Sequence, residues 1–255
     1  MALVVGLTGG ICTGKSTVSR MLADLGARIV DSDAIAHEIQ GPGQAAHAAI
    51  VREFGTGVLD EAGRIDRGRL GALVFGDPAR RAALEGIMHP AIIAESDRRV
   101  RAALAEGIPL VVVDAALLVE VGRHRKFPRL IVVAASEAEQ IRRLRARNGL
   151  SEVEARQRLA AQMPLAEKRR HAHHVIENSG TLAETAAQVA RLHAELTVLA
   201  AATGTDGGYP AARDQAPPAA PGGGGRGGRR PAEGDPRASG EKSWRKKLDK
   251  APGRF

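Results

Sequence analysis

Aromatic residues are nearly missing from this 255-residue chain: one Trp, one Tyr and four Phe, or 2% of the whole. At 44% hydrophobic content, its core must therefore be aliphatic and rich in alanine. A single cysteine, Cys12, excludes an intramolecular disulfide framework and fits a reducing compartment. No apolar run reaches the roughly 18 residues that read as a membrane span. No charged-then-apolar start reads as a secretory signal. The expectation is a soluble, cytoplasmic protein without a membrane partner. The formal net charge of +8 points toward polyanionic partners, yet +5 of it lies in residues 201–255. The first 200 residues carry only +3, the mild bias of an enzyme for polyanionic substrates.

What the chain has is a phosphate loop. Gly9-Gly10-Ile11-Cys12-Thr13-Gly14-Lys15-Ser16 fits G-x-x-x-x-G-K-[ST]. The apolar run Ala2–Leu7 before it reads as a buried strand. Ser16–Leu25 after it has apolar residues at helical spacing. Strand, glycine loop and helix together aim backbone N–H groups and a helix N-terminus at one point, which suits a polyphosphate. Gly10, Ile11, Cys12, Thr13, Gly14, Lys15, Ser16 and Thr17 are thus the expected nucleotide-binding set. Lys15 is expected at the β- and γ-phosphates and the Ser16 hydroxyl on Mg²⁺.

Further strands read at Ala27–Val30, Pro109–Asp114, Arg129–Ala135 and from His174 to Ile176. The second ends in Asp31-Ser32-Asp33, on the sheet edge where open α/β proteins bind ligands. From spacing alone, Asp33 is either a functional carboxylate or the N-cap of the next helix. Asp114 closes the third strand in a Walker-B-like pattern, which supports the Mg²⁺ shell. Residues 41–108 read as a mostly helical insertion, with helices at 45–54, 67–74, 78–87 and 90–104. His89-Pro90 stands at the start of the last of these. His89 is there either a phosphate-facing donor or a packed residue. Arg143 and Arg147 share one face of the helix that Ser136 opens in capping-box style with Glu139. They either cover a transferring phosphoryl group or form a solvated basic face. Residues 148–170 read as a mobile lid, and Ser151 and Glu154 as a second capping box. His171, His173 and His174 cluster without a Cys or acidic partner at metal spacing. Thr181–Leu199 reads as a closing amphipathic helix. From 201 onward, Gly, Pro, Arg and Lys dominate, and the stretch reads as a disordered, solubilising tail. Nucleic-acid contact through Ser243–Lys247 is the less favoured role for it.

Several stretches together resemble the dephospho-CoA kinase family. They are Leu7–Ile11 leading into the loop, Asp31–Ala36, Arg64–Arg67 with Val74-Phe75, and His89-Pro90. Asp114 with Leu117, Leu118 and Glu120 continues the series, followed by Gln140 with Arg143 and Arg147. Gln162–Pro164 with Glu167-Lys168 and Val175–Gly180 complete it. The likeness runs from about 3 to 195. It implies a P-loop kinase fold, α/β, with a five-stranded parallel sheet core over residues 1–200. It also implies a helical substrate subdomain at about 38–108 and a lid at about 140–172. ATP, with Mg²⁺, is then the donor and 3′-dephospho-CoA the acceptor. Asp33 becomes the general base, with Lys15, Arg143 and Arg147 in catalytic roles and His89 and Asp114 on the substrate side. A monomer is expected.

Three positions depart from the family pattern. Cys12 stands where glycine is usual, at a place that calls for positive φ. Near a helix N-terminus it is expected to alkylate readily, with ATP protecting it. Ala115-Ala116 replaces a segment where proline is common, and Asn148 replaces a frequent acidic residue. The Asp33 turn and the long helical insertion disfavour another small-molecule P-loop kinase, such as a nucleoside monophosphate or gluconate kinase. A guanine-reading N-K-x-D is absent, which disfavours a regulatory GTPase.

Overall fold

Five strands run parallel in the order β2-β3-β1-β4-β5 in the computed structural model, which describes residues 1–203 and 207–210. They are β1 (Leu3–Gly9), β2 (Arg28–Asp31), β3 (Leu110–Asp114), β4 (Arg129–Ala134) and β5 (His174–Glu177). The central strands β3, β1 and β4 are buried on both faces because they are apolar on both, as parallel sheets require. Val4, Val111, Val113, Leu130 and Val132 point to one side. Leu3, Val5, Leu7, Val112, Ile131 and Val133 point to the other. The second side is covered by α1 (Lys15–Asp24) and α9 (Leu182–Ala202) through Val18, Leu22, Val189, Leu192 and Leu196. The first is covered by the insertion: α2 (Ser32–Glu38), α3 (Ala45–Phe54), α4 (Arg67–Val74) and α5 (Pro78–Ala105).

Register sets the site. Leu7 pairs with Asp114, and Asp31 pairs with Asp114. The carboxyl ends of β2 and β3 are therefore level, β1 runs on from Leu7 to Gly9, and the loop after β1 opens beyond two acidic strand ends.

The insertion differs from expectation at one point. Residues 78–87 and 90–104 are not two helices but the single 28-residue α5, with Pro90 inside it and His89 at mid-helix. A proline ring removes the bond to the carbonyl four residues back and costs about 3 kcal/mol in a helix interior. Burial outweighs it here: Leu84 and Met88 before the proline, and Val100 and Ala103 after it, enter the same apolar cluster.

After β4 come α6 (Glu137–Asn148), α7 (Glu152–Ala160) and α8 (Leu165–Arg170), with Leu165 of α8 packed against the same apolar cluster as the insertion. Ser151 and Glu154 form the full capping box, but Ser136 caps α6 only one way. The Glu139 carboxylate is taken by Arg142 and Arg143, and the Ser136 N–H instead donates to Ser179 Oγ at 2.8 Å.

The start of the supposed tail is also corrected. α9 runs to Ala202, and Tyr209 is only 5% exposed within the main core cluster. The expectation of disorder beyond Pro210, and the Ser243–Lys247 stretch, lie outside the described residues. Among those described, no helix is long and apolar enough to cross a membrane.

Candidate active site

The loop between β1 and α1 lines a cavity of about 320 Å³ with Gly9, Gly10, Ile11, Cys12, Gly14, Lys15 and Ser16. Asp33, Ala116, Arg143, Arg147 and Gln162 complete the lining. Two loop residues stand in the left-handed region: Gly14 at φ 89° and Cys12 at φ 55°. Cys12 is the sole non-glycine residue so placed among those described, which answers the positive φ expected at this position. Thr13 and Thr17 are expected to bind nucleotide but do not line the cavity. Thr13 is buried and donates from Oγ1 to the Gly10 carbonyl (3.0 Å); the Thr17 N–H donates to the Gly14 carbonyl (3.0 Å). Both stabilise the loop from within.

The loop is clasped from the α6–α8 side. Gln140 Nε2 donates to the Ile11 carbonyl at 2.7 Å, and the Ile11 N–H donates to Gln162 Oε1 at 2.9 Å. Asn178, just past β5, donates from Nδ2 to the Thr13 carbonyl at 2.7 Å. Arg143 reaches the Cys12 and Thr13 carbonyls (3.4 Å each) and the Asn178 carbonyl (2.7 Å), held from behind by Glu139 at 2.7 Å. Arg147, one turn on, is exposed at the cavity rim, with Nε on its neighbour Asn148. The two arginines therefore differ. Arg143 is committed to loop carbonyls, and Arg147 is disposed toward the cavity.

Lys15 joins the acidic end of β3 to the first turn of α2. Its Nζ donates to Asp114 Oδ1 and lies 4.0 Å from Asp33 Oδ2. Asp114 is 3% exposed at the side chain. Burial pushes its carboxyl up, against the pull of the Lys15 ammonium. Asp33 has the opposite setting, with its side chain 70% exposed. The helix-capping role left open for it belongs to Asp31, whose Oδ1 accepts from the Asp33 and Ala34 N–H groups at 2.8 and 3.1 Å. Asp31 thus satisfies the helix end and leaves the Asp33 carboxylate facing the cavity. The Ser16 hydroxyl is likewise exposed at the cavity.

His89 is not brought to this site: it is half-buried at mid-α5 and absent from the lining. The three clustered histidines separate by role. His171 packs its ring on His124 at 4.6 Å, His173 Nδ1 accepts from the Leu130 N–H, and His174 lies 3.8 Å from Glu195. Ala115 and Ala116 form regular connections: the Ala115 N–H donates to the Leu7 carbonyl, and the Ala116 carbonyl accepts from Thr8 Oγ1 at 3.0 Å.

Sequence reasoning assigned no task to Gln140, Gln162, Lys168 or Asn178. A buried position on an otherwise charged helix is the signal that could have found Gln140. For Lys168 the local spacing gives none, because lysine in a short Glu-Lys-Arg-Arg run reads as a solvated face; only its place in a stretch that resembles the family marks it.

The sequence profile of the dephospho-CoA kinase family matches residues 3–184. A dephospho-CoA kinase of Symbiobacterium thermophilum is 48% identical over 213 residues, 84% of this chain and 87% of that one. Among solved structures, TT1252 from Thermus thermophilus aligns with a TM-score of 0.64 at 37% identity, over 80% of this chain and 99% of that one. The dephospho-CoA kinase of Campylobacter jejuni aligns with a TM-score of 0.53 at 25% identity, over 76% and 96% of the two chains. The matched span takes in all five strands, the loop and the residues that clasp it, and the chain belongs to the dephospho-CoA kinase family.

Proposed function

We propose that this cavity transfers the γ-phosphoryl group of ATP to the ribose 3′-hydroxyl of dephospho-CoA, with Asp33 as the base that receives the hydroxyl proton. As a family member the chain is a kinase of the final step of coenzyme A synthesis. The division of labour among its residues is our reading. The observation that carries it is the contrast between two carboxylates around one ammonium. Buried Asp114 holds Lys15 in place; exposed Asp33 faces the cavity with its own helix already capped by Asp31.

In this reading the loop N–H groups and Lys15 hold the β- and γ-phosphates, and positioning supplies most of the rate. Arg147 covers charge that spreads over the transferring group, while Arg143 keeps the loop carbonyls turned away from it. The exposed Ser16 hydroxyl, with Asp114 behind Lys15, suits Mg²⁺ that arrives with the nucleotide. That ion would neutralise charge between the β- and γ-phosphates. The helices α2–α5 supply the acceptor side, and α6–α8 the cover. We take the enzyme to work as a monomer in the cytoplasm.

The test is ADP release with Mg-ATP and 3′-dephospho-CoA, for wild type and Asp33→Asn. Loss of a general base is expected to lower kcat by about 10²–10⁴-fold with little change in the KM for ATP. An Asp33→Asn variant within threefold of wild type would remove Asp33 from the base role.

A further inference from the structure

We propose that Lys168 is a positioning residue for phosphoryl transfer, its buried ammonium fixing two carbonyls of the nucleotide cavity to helix α8. Lys168 is 1% exposed. Its ammonium has three N–H donors, and each has an acceptor: Glu120 Oε1 at 2.8 Å, the Ala116 carbonyl at 2.7 Å and the Gly9 carbonyl at 3.2 Å. Glu120 alone would provide charge neutrality. The other two acceptors are the informative ones. Gly9 ends β1 at the mouth of the phosphate loop, Ala116 follows β3 two residues after Asp114, and both line the cavity.

A single buried charge thus sets the separation of two cavity segments that come from different strands. Thr8 Oγ1 donates to the same Ala116 carbonyl, so the segment after Asp114 is fixed twice. His171, at the end of α8, packs its ring at a tilt against that of His124 and makes a second junction between α8 and the chain that follows β3. Burial and the charge of Lys15 both push the Lys168 ammonium down, and Glu120 opposes them. The complete acceptor set favours the charged form, and Glu120 neutralises it, so what Lys168 supplies to the cavity is position rather than net charge.

This inference rests on the kinase reading, and the experiment separates the two. Removing one partner of a buried pair is strongly destabilising, whereas replacing both by apolar residues is often neutral. Lys168→Met alone is therefore expected to lower the thermal midpoint, and Lys168→Met/Glu120→Leu to recover most of it. If Lys168 only stabilises the fold, kcat recovers together with stability. If it positions the cavity, the double variant folds yet keeps a kcat at least tenfold below wild type, with a raised KM for ATP. A folded double variant with kcat and KM within twofold of wild type overturns the proposal. An inactive wild type overturns the kinase reading instead. Should the double variant not fold, nitrogen-15 NMR of wild type labelled at lysine Nζ decides. The slowly exchanging ammonium signal that persists in Lys15→Met must move when an ATP analogue fills the wild-type cavity; a signal that stays put overturns the proposal.

Discussion

Cys12 sits at φ 55° in a loop otherwise turned by glycine. Left-handed backbone costs a non-glycine residue about 1–2 kcal/mol, and glycine loses about 0.5–1 kcal/mol more entropy on folding. Cys12→Gly should therefore stabilise the protein by about 0.5 kcal/mol and raise its Tm by about 1–2 °C; a lower Tm would show the loop unstrained. Because Cys12 lines the cavity, bound ATP should slow its alkylation by iodoacetamide, and equal rates with and without ATP would place the nucleotide elsewhere. Gly14 gives the opposite result. Its φ is 89°, and a Cβ there would overlap the Asn178 amide that supports the Thr13 carbonyl. Gly14→Ala is expected to abolish measurable ATP binding and to cost several kcal/mol by equilibrium denaturation. Two substitutions of similar size, two residues apart, thus act with opposite sign. Backbone angle and the neighbour at the Cβ decide the outcome.

The phosphate loop, the strands and most of the helices were legible because each is encoded locally: a motif, an apolar run, a capping residue. What escaped depends on contacts distant in sequence. Nothing near Pro90 announces that both halves of α5 enter one core cluster. Nothing beside Asp33 says that Asp31 takes the cap. Lys168 looks solvated until the chain after β3 closes over it. Even α6, correctly placed, hid the work of its first turn. Glu139 is engaged by Arg142 and Arg143, with Arg142 the larger influence, and its carboxyl is held down to about 2 from an ordinary 4.5. Glu95 in α5 is held down to about 2 by Arg98 and Arg99. A depressed folded-state value contributes stability above the ordinary carboxylate range, and that stability is lost as pH falls. The loss should run from about pH 4.5 to about pH 2. Since Arg143 ties α6 to the loop, denaturation monitored against pH should show Glu139→Gln less stable than wild type at pH 7. The difference should narrow as the pH falls toward 2; a constant difference would mean that Glu139 acts other than through its charge.

At the scale of the whole molecule, the chain is closed by residues that composition assigned to a tail. The Val4 N–H donates to the Gly207 carbonyl at 3.0 Å, which brings the C-terminal segment against the start of β1. Tyr209 then enters the core. Its hydroxyl donates to Asp97 of α5 and accepts from Arg123 at 3.0 Å, Arg123 and Asp97 are 2.6 Å apart, and the Tyr209 ring lies 5.8 Å from that of Phe127. Burial, the leading cause, pushes the phenol up to about 12, so it stays a donor across the working range of pH. Among the described residues Asp97 Oδ2 and Arg123 Nε have no partner of their own, and beside each other the pair has Tyr209 and the Ser96 hydroxyl, at 3.3 Å from Arg123. Removing a hydrogen-bond partner from such a buried group costs about 1–3 kcal/mol; losing a whole buried aromatic side chain costs about 3–5 kcal/mol. Truncation after Pro210 should then leave kcat and Tm as in the full chain. Truncation after Thr203 should lower Tm by about 6–20 °C, and Tyr209→Phe in the full chain should fall between the two. Calorimetry of the three proteins beside wild type distinguishes a docked segment from a dispensable one. Equal midpoints for the two truncations would show that residues 204–210 contribute nothing, and that the Asp97–Arg123 pair is satisfied by water once Tyr209 is gone.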